Sequence, residues 1–584
     1  MPPTVQTTWF DIGESPAARP AKRAKGPKAP KASATPPAAP PAKEEQQEPR
    51  DRQRSRGRAK SRNDGKLTAA EMMAAEQREI SVSDFFTKNR HLLGYDNPKK
   101  ALLTVVREAV DNSLDACEEA DILPEITVLV NTVPGKEDRF HVLVEDNGPG
   151  IVHSKIPNIF ARLLYGSKFH RLRQSRGQQG IGISAAVMYA QMTTGKPARI
   201  VSRISPRHPA RLVELRLDTA KNKPEILLDQ PTEWDCPHGT RIELTFDAKF
   251  QRGRQSVEDY LQQTAIANPH MRLTYKAPDQ TEPVVFERAT RELPEKPRAI
   301  KPHPYGVELG TLLKMMRSSS SHKLGAFLQG DFARVSAKVA SEICAKAGLA
   351  SSSPLKRIAA TEAERVHTAI QQTKIIAPPT DCLSPIGEEL LIAGLKKEVE
   401  ADLYVAKTRA PTVYRGNPFL VEAAIAFGGK LPADELVRVC RYANRVPLLY
   451  QQSACAIAKA VITTDWRNYR VSQARGALPT APMIIAVHVA SAWVPFTSES
   501  KEAIAHYPEI VREVRLALQD CGRKISLHIS RRRREADALK KRQYIEKYLP
   551  HIGDALRDIL GLTEKERANA INVLEDILER SRKL

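Results

Sequence analysis

The stretch REAVDNSLDA (residues 107–116) places three polar side chains on one face of a predicted helix. Glu108, Asn112 and Asp115 stand at positions i, i+4 and i+7, which share a face in an α-helix. A carboxylate there can take a proton from an attacking water, and an amide oxygen one turn later can ligate Mg²⁺, which favours oxygen ligands. Because an exposed polar stripe on an amphipathic helix has the same pattern, this stretch alone does not decide the chemistry.

A second group of polar and glycine residues, EDNGPGI (residues 145–151), directly follows a predicted strand. An acidic side chain at a strand end can accept a hydrogen bond from an exocyclic amine such as that of adenine. Gly148 and Gly150 allow the backbone to turn tightly beside a flat ring. An ordinary turn around Asp-Asn-Gly would also fit these residues.

The third group, SRGQQGIGIS (residues 175–184), leads into a predicted helix. Its glycines expose consecutive backbone N–H groups next to a helix N-terminus, an arrangement suited to a triphosphate. The spacing is neither that of a P-loop nor that of a dinucleotide-binding loop. Taken alone, the stretch would also fit a flexible loop.

The pattern around these three groups predicts an α+β fold. Helical and strand patterns alternate from about residue 71, and the helix 101–120 precedes the paired strands 125–133 and 140–148. Helices mixed with antiparallel strands in this order indicate an α+β sandwich. Residues 304–373 are mostly helical in pattern, strands return after residue 385, and a long helix follows residue 508.

Composition bears on the partner and the compartment. The formal net charge of +22 suits a polyanionic partner such as nucleic acid. The seven cysteines are scattered and form no C-x-x-C pair, which argues against a disulfide framework or a zinc site and fits a reducing intracellular compartment. We find no apolar run long enough for a membrane span and expect no membrane association.

The three groups, in this order and spacing, resemble those of the GHKL ATPase superfamily, with its Bergerat-type sandwich. The resemblance implies ATP and Mg²⁺ as cofactors, Glu108 as the catalytic base, Asn112 as the Mg²⁺ ligand and Asp146 as the adenine-recognising residue. The loop 177–184 would close over the phosphates, and Gly239-Thr240 matches the superfamily's last motif beside the adenine. The implied ATP-binding positions are Asn112, Asp115, Asp146, Gly148, Gly150, Ser167, Lys168, Arg176, Gly177, Gln178, Gln179, Gly180, Ile181, Gly182, Ile183, Ser184, Thr240 and Lys501.

A narrower resemblance covers residues 78–545. The segments YGSKFHRLRQSRGQQGIGIS, APPTDCLSPIGEE, GNPFLVEAAIAFGG, RYANRVPLLYQQ and DWRNY are similar to the B subunits of topoisomerase VI, the type IIB DNA topoisomerases. That family relaxes or decatenates double-stranded DNA as an A2B2 heterotetramer, in which ATP closes two B subunits into a gate. A separate A subunit makes the double-strand break through its own tyrosine. The expected location is cytoplasmic and nucleoid-associated.

The resemblance also implies a division into domains. We expect a disordered basic tail (1–75), a GHKL ATP-binding domain (76–303), a helix-two-turn-helix insert (304–376), an α/β transducer domain with a long C-terminal helix (377–545) and a short helical tail (546–584). The end of the transducer or the short tail would dock the A subunit. In the transducer, Lys501 is expected to contact the γ-phosphate. Lys374, in QQTK, is a rival that precedes the transducer strands.

Other classes of GHKL protein remain alternatives. A mismatch-repair ATPase would also bind DNA, but segments 377–388 and 441–452 do not suit it. A chaperone-like ATPase needs neither the positive net charge nor the helical insert. A sensor kinase needs a phosphorylatable histidine helix, which is not evident. An inactive DNA scaffold is disfavoured because Glu108, Asn112 and Asp146 are all present.

Overall fold

The computed structural model describes Met73 and residues 81–167, 171–177 and 180–580. The chain divides into two units, Met1–Arg78 and Glu79–Leu584, and almost all described residues belong to the second. The predicted disordered tail, residues 1–75, lies outside the described residues except for Met73. In the part of the chain that the structure describes, no helix is both long and apolar enough to cross a membrane.

The first layer of the Glu79–Leu584 unit is an eight-stranded sheet. Its strands are β1 Glu125–Val133, β2 Lys136–Asp146, β3 Ala198–Arg203, β4 Ala210–Asp218, β5 Lys223–Thr232, β6 Gly239–Asp247, β7 Arg272–Lys276 and β8 Val284–Phe286. They lie in the order β5-β4-β3-β6-β2-β1-β7-β8. β1 pairs in parallel with β7, whereas the other neighbouring strands pair antiparallel. The α+β prediction is therefore confirmed, with one parallel pair that we did not predict.

Helices cover this sheet and share its core. They are α1 Val82–Lys88, α2 Arg90–Leu93, α3 Pro98–Glu119, α4 Ile156–Phe160, α5 Gly182–Thr194 and α6 Val257–Ala267. In α3, Asn97 caps the N-terminus by accepting a hydrogen bond from the Lys99 N–H. Aliphatic side chains spaced four apart fill the core below α3, namely Leu102, Val106, Val110 and Leu114. Burial of each stabilises the fold by about 1.5–3 kcal/mol and fixes which face of α3 points away from the core.

A small helical layer follows, in the region expected to be helical. Its helices are α7 Leu309–Ser318, α8 Leu324–Asp331, α9 Ala337–Lys346 and α10 Ala360–Gln372. They enclose their own apolar core, which includes Leu312, Phe327, Ile343 and Val366. Ser336 caps α9 by accepting from the Val339 N–H. These helices therefore form a compact insert that lies between the two sheets in the order of the chain.

The second sheet has six strands. They are β9 Leu403–Thr408, β10 Thr412–Tyr414, β11 Asn417–Phe427, β12 Arg438–Ala443, β13 Val446–Pro447 and β16 Met483–Ser491, while β14 Ser472–Gln473 and β15 Pro479–Thr480 form a separate pair. The order is β10-β11-β16-β12-β13, with β9 also paired to β11. β11 and β16 are buried along almost their whole length because helices cover both faces, so their sequences read as continuous apolar runs.

Four helices complete the second layer: α11 Glu388–Glu398, α12 Ala456–Thr463, α13 Pro508–Leu560 and α14 Glu564–Arg580. The helix that we predicted to end near residue 545 continues to Leu560, so a boundary at 545 falls inside α13. It passes through Pro550, a residue that usually disrupts a helix. Packing against α14 supports this stretch, since a Cβ at Gly553 would lie 2.6 Å from Ile571 Cδ1.

Candidate nucleotide-binding site

A cavity of about 310 Å³ lies between α3, the first sheet, the loop 177–184 (the glycine loop) and the loop that follows β16. The three predicted groups meet on its wall, together with Ser167, Thr240 and Lys501. Of the predicted ATP-site residues, those that line it are Glu108, Asn112, Asp146, Gly150, Ser167, Gly177, Gly180, Ile181, Gly182, Ile183, Ser184, Thr240 and Lys501. The fold therefore brings together side chains whose chemistry we inferred from separate motifs.

The first corner of the cavity holds the carboxylate of Glu108. Arg107 Nη2 donates to Glu108 Oε1 at 3.1 Å, and Arg107 Nη1 donates to the Ser500 carbonyl at 3.1 Å. Burial by itself would lower the pKa of Arg107, but Glu108 and Asp111 hold it above its ordinary value. The guanidinium therefore stays charged, orients Glu108 and joins α3 to the loop after β16.

Backbone from the glycine loop approaches this carboxylate closely. A Cβ built at Gly182 would lie 1.8 Å from Glu108 Oε2, so no other residue fits there without moving the carboxylate. Gly182 is the first residue of α5, and the N-terminus of a helix carries positive potential and free N–H groups. The cavity thus has a carboxylate and an anion-binding helix end side by side.

Asp146 occupies a second, nearly buried corner, at the end of β2. Its Oδ2 accepts from Ser113 Oγ at 2.7 Å, and its Oδ1 accepts from the N–H groups of Gly148 and Thr240 at 2.9 and 3.2 Å. Burial raises the pKa of Asp146 to about 6, although these hydrogen bonds act in the opposite direction. The carboxylate is fixed in direction and has acceptor capacity left for a ligand donor.

Close backbone packing shapes this corner. Gly150 has φ +69° and Gly239 has φ +152°. A Cβ at Gly150 would lie 2.0 Å from the Arg203 carbonyl oxygen, and one at Gly239 would lie 2.1 Å from the Asp146 carbonyl oxygen. Both glycines are required by conformation and by space, which explains their place beside Asp146 and Thr240.

Lys501 reaches the cavity from the loop after β16. Its Nζ donates to the carbonyl of Arg176 at 3.1 Å, which ties this loop to the glycine loop. The next residue, Glu502, is buried and forms an ion pair with Lys100 of α3. Lys374, the rival lysine, does not line the cavity.

Three predicted ligands lie behind the wall of the cavity. Gly148 is part of the turn that binds Asp146. The Arg176 side chain points into the protein and pairs with Asp115 Oδ1 at 2.8 Å and Glu118 Oε1 at 2.6 Å. Burial by itself would lower the pKa of Arg176, but these carboxylates raise it above its ordinary value. Lys168, Gln178 and Gln179 lie outside the described residues.

The donor set bears on the metal that the sequence predicts. Among the described residues there is no group of three or more His, Cys, Asp or Glu side chains that could hold a metal ion. Asn112 lines the cavity with an exposed side chain. One amide oxygen suits Mg²⁺, which usually takes one or two protein ligands and completes its shell with phosphate oxygens and water. The residues present therefore fit a cation that arrives with a nucleotide.

Some lining residues were not predicted. Arg107 stands next to Glu108 in the first motif, and Ser113 lies within it, so their place in the motif was a signal for both. Tyr95 and Phe160 supply apolar wall surface, and no local pattern distinguishes them from ordinary core residues. Their role became visible only when α2, α3 and α4 were placed around the cavity.

Two family models match segments of this chain. Residues 97–250 match the family model "Histidine kinase-, DNA gyrase B-, and HSP90-like ATPase", and residues 378–541 match "Topoisomerase VI B subunit, transducer". Among solved structures, the ATPase region of Saccharomyces cerevisiae topoisomerase II is similar over 78% of this chain and 100% of that chain, at 10% identity and TM-score 0.38.

Curated relatives extend the match over most of the chain. The type 2 DNA topoisomerase 6 B subunit of Methanococcoides burtonii is 50% identical, covering 84% of this chain and 79% of the relative. That of Archaeoglobus fulgidus is 48% identical, covering 85% of this chain and 81% of the relative. The chain belongs to the family of type 2 DNA topoisomerase 6 B subunits.

Proposed function

We propose that this chain is the ATP-binding and ATP-hydrolysing B subunit of a type IIB DNA topoisomerase. One observation carries the proposal: Glu108, Asn112, Asp146, the glycine loop and Lys501 line a single cavity. Glu108 and Asn112 lie on α3, whereas Asp146 ends β2, the glycine loop leads into α5 and Lys501 follows β16, so their convergence is a property of the whole fold. A DNA scaffold without hydrolysis has no need of a carboxylate held beside an anion-binding helix end.

In this proposal Glu108 is the general base. Bound Mg-ATP supplies the phosphoryl group that water attacks. Glu108 accepts the proton of that water, and Arg107, at 3.1 Å, holds the carboxylate in place. The N-terminus of α5 and the glycine backbone stabilise negative charge on phosphate oxygens. Asn112 would hold Mg²⁺ through its amide oxygen.

Adenine recognition is assigned to Asp146. An ionised Asp146 accepts a hydrogen bond from the exocyclic amine, while Ser113 and Thr240 keep the carboxylate oriented. Gly148 supports this residue through its backbone N–H. Asp115 and Arg176 are not among the proposed nucleotide contacts, because their side chains pair with each other behind the cavity wall.

The second sheet and α13 would transmit nucleotide binding to the gate. Lys501 is proposed to contact the γ-phosphate, which would compete with its present bond to the Arg176 carbonyl. ATP binding would then draw the loop after β16 toward the nucleotide and favour the closed B–B dimer. The proposed assembly is an A2B2 heterotetramer that passes one duplex through a break made by the A subunit.

DNA binding is supported by the net charge of +22. Basic residues are dense in α13, where residues 531–534 are four consecutive arginines, all exposed. Docking of the A subunit is assigned to the far end of α13 or to α14. Exposed apolar side chains such as Tyr544, Ile552 and Ile559 lie in that region.

The test is supercoil relaxation by the purified chain, with and without a topoisomerase VI A subunit, in the presence and absence of Mg-ATP. We expect relaxation only when both subunits and ATP are present. A matched preparation carrying Glu108→Ala should bind nucleotide but relax no DNA. ATP hydrolysis without relaxation under any pairing would favour a mismatch-repair or chaperone-like ATPase instead.

A further inference from the structure

Residues 172–176 lead into the glycine loop and form its stem. Three separate segments of the second layer hold this stem. Gln174 exchanges two hydrogen bonds with the backbone of Ser384, at 3.0 and 2.7 Å. Asn444 Nδ2 donates to the Ser175 carbonyl at 3.0 Å, and Lys501 contacts the next carbonyl. Three consecutive loop residues are thus each bonded to a different transducer segment.

Asn444 is built into the second sheet as firmly as into the loop. It lies in the turn between β12 and β13 with φ +48° and is almost completely buried. Its Nδ2 also donates to the Ser491 carbonyl at 3.0 Å, and its Oδ1 accepts from the Ser491 N–H at 2.9 Å. One amide group therefore fixes the end of β16 and the stem of the glycine loop in the same geometry.

The neighbouring residue extends this contact into the sheet. The Arg445 N–H donates to His488 Nε2 at 3.0 Å, and His488 Nδ1 is 2.8 Å from Glu422 Oε2. Glu422 in turn accepts from the backbone N–H groups of Ile386 and Gly387. His488 and Glu422 are fully buried, so water cannot replace the hydrogen bonds that a displacement of the turn would break.

Apolar packing accompanies the polar contacts. Leu172, at the start of the stem, packs on a small cluster formed by Cys382, Leu383, Leu420 and Ala490 of the second layer. The Gln174 N–H also donates to the Cys382 carbonyl at 3.0 Å. The stem therefore packs on the second layer, while the Arg176 side chain also joins it to α3.

We infer that Asn444 is a positioning residue for ATP hydrolysis, which sets where the glycine loop lies relative to Glu108 by tying its stem to the second sheet. This inference rests on the proposed ATPase function. Because Gly182 contacts Glu108 only a few residues further along the loop, a shift of the stem changes the site without touching the nucleotide corner at Asp146. Conversely, a movement of the glycine loop would be transmitted through Asn444 to Ser491, at the end of β16.

The test uses Asn444→Gly, which keeps the left-handed backbone favourable but removes the amide. Hydrogen exchange of the full chain without nucleotide should show about tenfold faster exchange of amides 174–177, with β1 unchanged. ATP hydrolysis should lose about tenfold in kcat while KM stays within about threefold. The control is Gln451→Gly, an exposed residue of the same layer with φ +51°, which should behave as the wild type.

A second variant, Gln174→Met, removes the neighbouring bonds at similar side-chain length and should give the same pattern. The double variant should be little worse than the worse single one, because both act on one stem. Wild-type exchange at 174–177 in Asn444→Gly would overturn the inference, as would loosening that spreads to β1. If the wild-type chain hydrolysed no ATP, the proposed function would fail, whereas the exchange result would still decide whether Asn444 positions the loop.

Discussion

Gly182 lies directly against the Glu108 carboxylate, with no room between them for a side-chain carbon. A Cβ at residue 182 would lie 1.8 Å from Glu108 Oε2. The glycine loop and the proposed base are therefore adjusted to each other, and a change in one displaces the other.

Gly182→Ala should push the Glu108 carboxylate out of its position. Misplacing a catalytic group by about 1 Å can cost about a hundredfold in rate, so we expect kcat for ATP hydrolysis to fall by about that factor. The measurement is steady-state ATPase activity. Gly310→Ala is the control because a Cβ there meets nothing within 4 Å; full activity of Gly182→Ala would show that the contact is not needed.

Glu108→Gln should keep nucleotide binding and lose hydrolysis. Glutamine can still accept the hydrogen bond from Arg107 but cannot take up a proton, so the rate should fall by about 10²–10⁴. Binding of a non-hydrolysable ATP analogue by calorimetry and single-turnover hydrolysis would separate the two effects. Glu119→Gln, in the last turn of the same helix, serves as the control. Turnover retained by Glu108→Gln would remove Glu108 from the role of base.

Nucleotide affinity should fall as the pH falls through about 6. Burial raises the pKa of Asp146 to about 6, and only the ionised carboxylate accepts the hydrogen bond from adenine. Below that pH, affinity should decrease by up to about tenfold per pH unit. Calorimetric titrations at pH 5 to 8 should show this fall for the wild type. Asp146→Asn should bind weakly at every pH and should not show the fall in affinity below pH 6. A wild-type profile identical in shape to that of the variant would contradict the assignment.

The same raised pKa has a consequence for stability, with the opposite sign. An aspartate favoured in its neutral form by folding stabilises the fold below its unfolded pKa of about 3.9, and that contribution is lost as the pH rises through about 6. Asp146→Asn should therefore raise the thermal midpoint at pH 8, with little gain at pH 4. Thermal unfolding at the two pH values checks this; an equal change at both would mean that ionisation of Asp146 is not the cause.

Lys501→Gln should weaken the coupling between nucleotide binding and dimerisation. The amide carries no charge for the γ-phosphate. We expect B–B dimerisation with an ATP analogue, followed by sedimentation, to require about tenfold more nucleotide. Lys374→Gln is the control, because Lys374 does not line the cavity. Unchanged dimerisation in Lys501→Gln would exclude it from the switch.

Local sequence patterns predicted the parts of the site that lie on single elements. The strand 125–133 was placed correctly, and the helix predicted after the third group is present and ends at the left-handed Gly195, because periodicity and a glycine cap are local signals. The direction of the Arg176 side chain was not. Whether an arginine faces a ligand or turns inward to Asp115 and Glu118 depends on which carboxylates the fold buries nearby.

Pairings between distant segments were also beyond local patterns. β1 pairs in parallel with β7, a strand more than a hundred residues away, and nothing in either strand marks that partner. Likewise, α13 continues through Pro550 because α14 packs beside it, although proline alone predicts a break. Nothing in the sequence singled out Asn444, and its bond to Ser175 could be seen only once both sheets were in place.

The free length of α13 has a mechanical consequence. Its contacts with the second sheet end near Arg532, which pairs with Asp402, so about 28 residues, or about 40 Å at 1.5 Å per residue, extend from there to Leu560. For a rod of that length, a tilt of about 5° at the base moves the tip by about 4 Å. A rearrangement too small to see among the packed strands would therefore arrive at the far end as a displacement comparable to a helical turn.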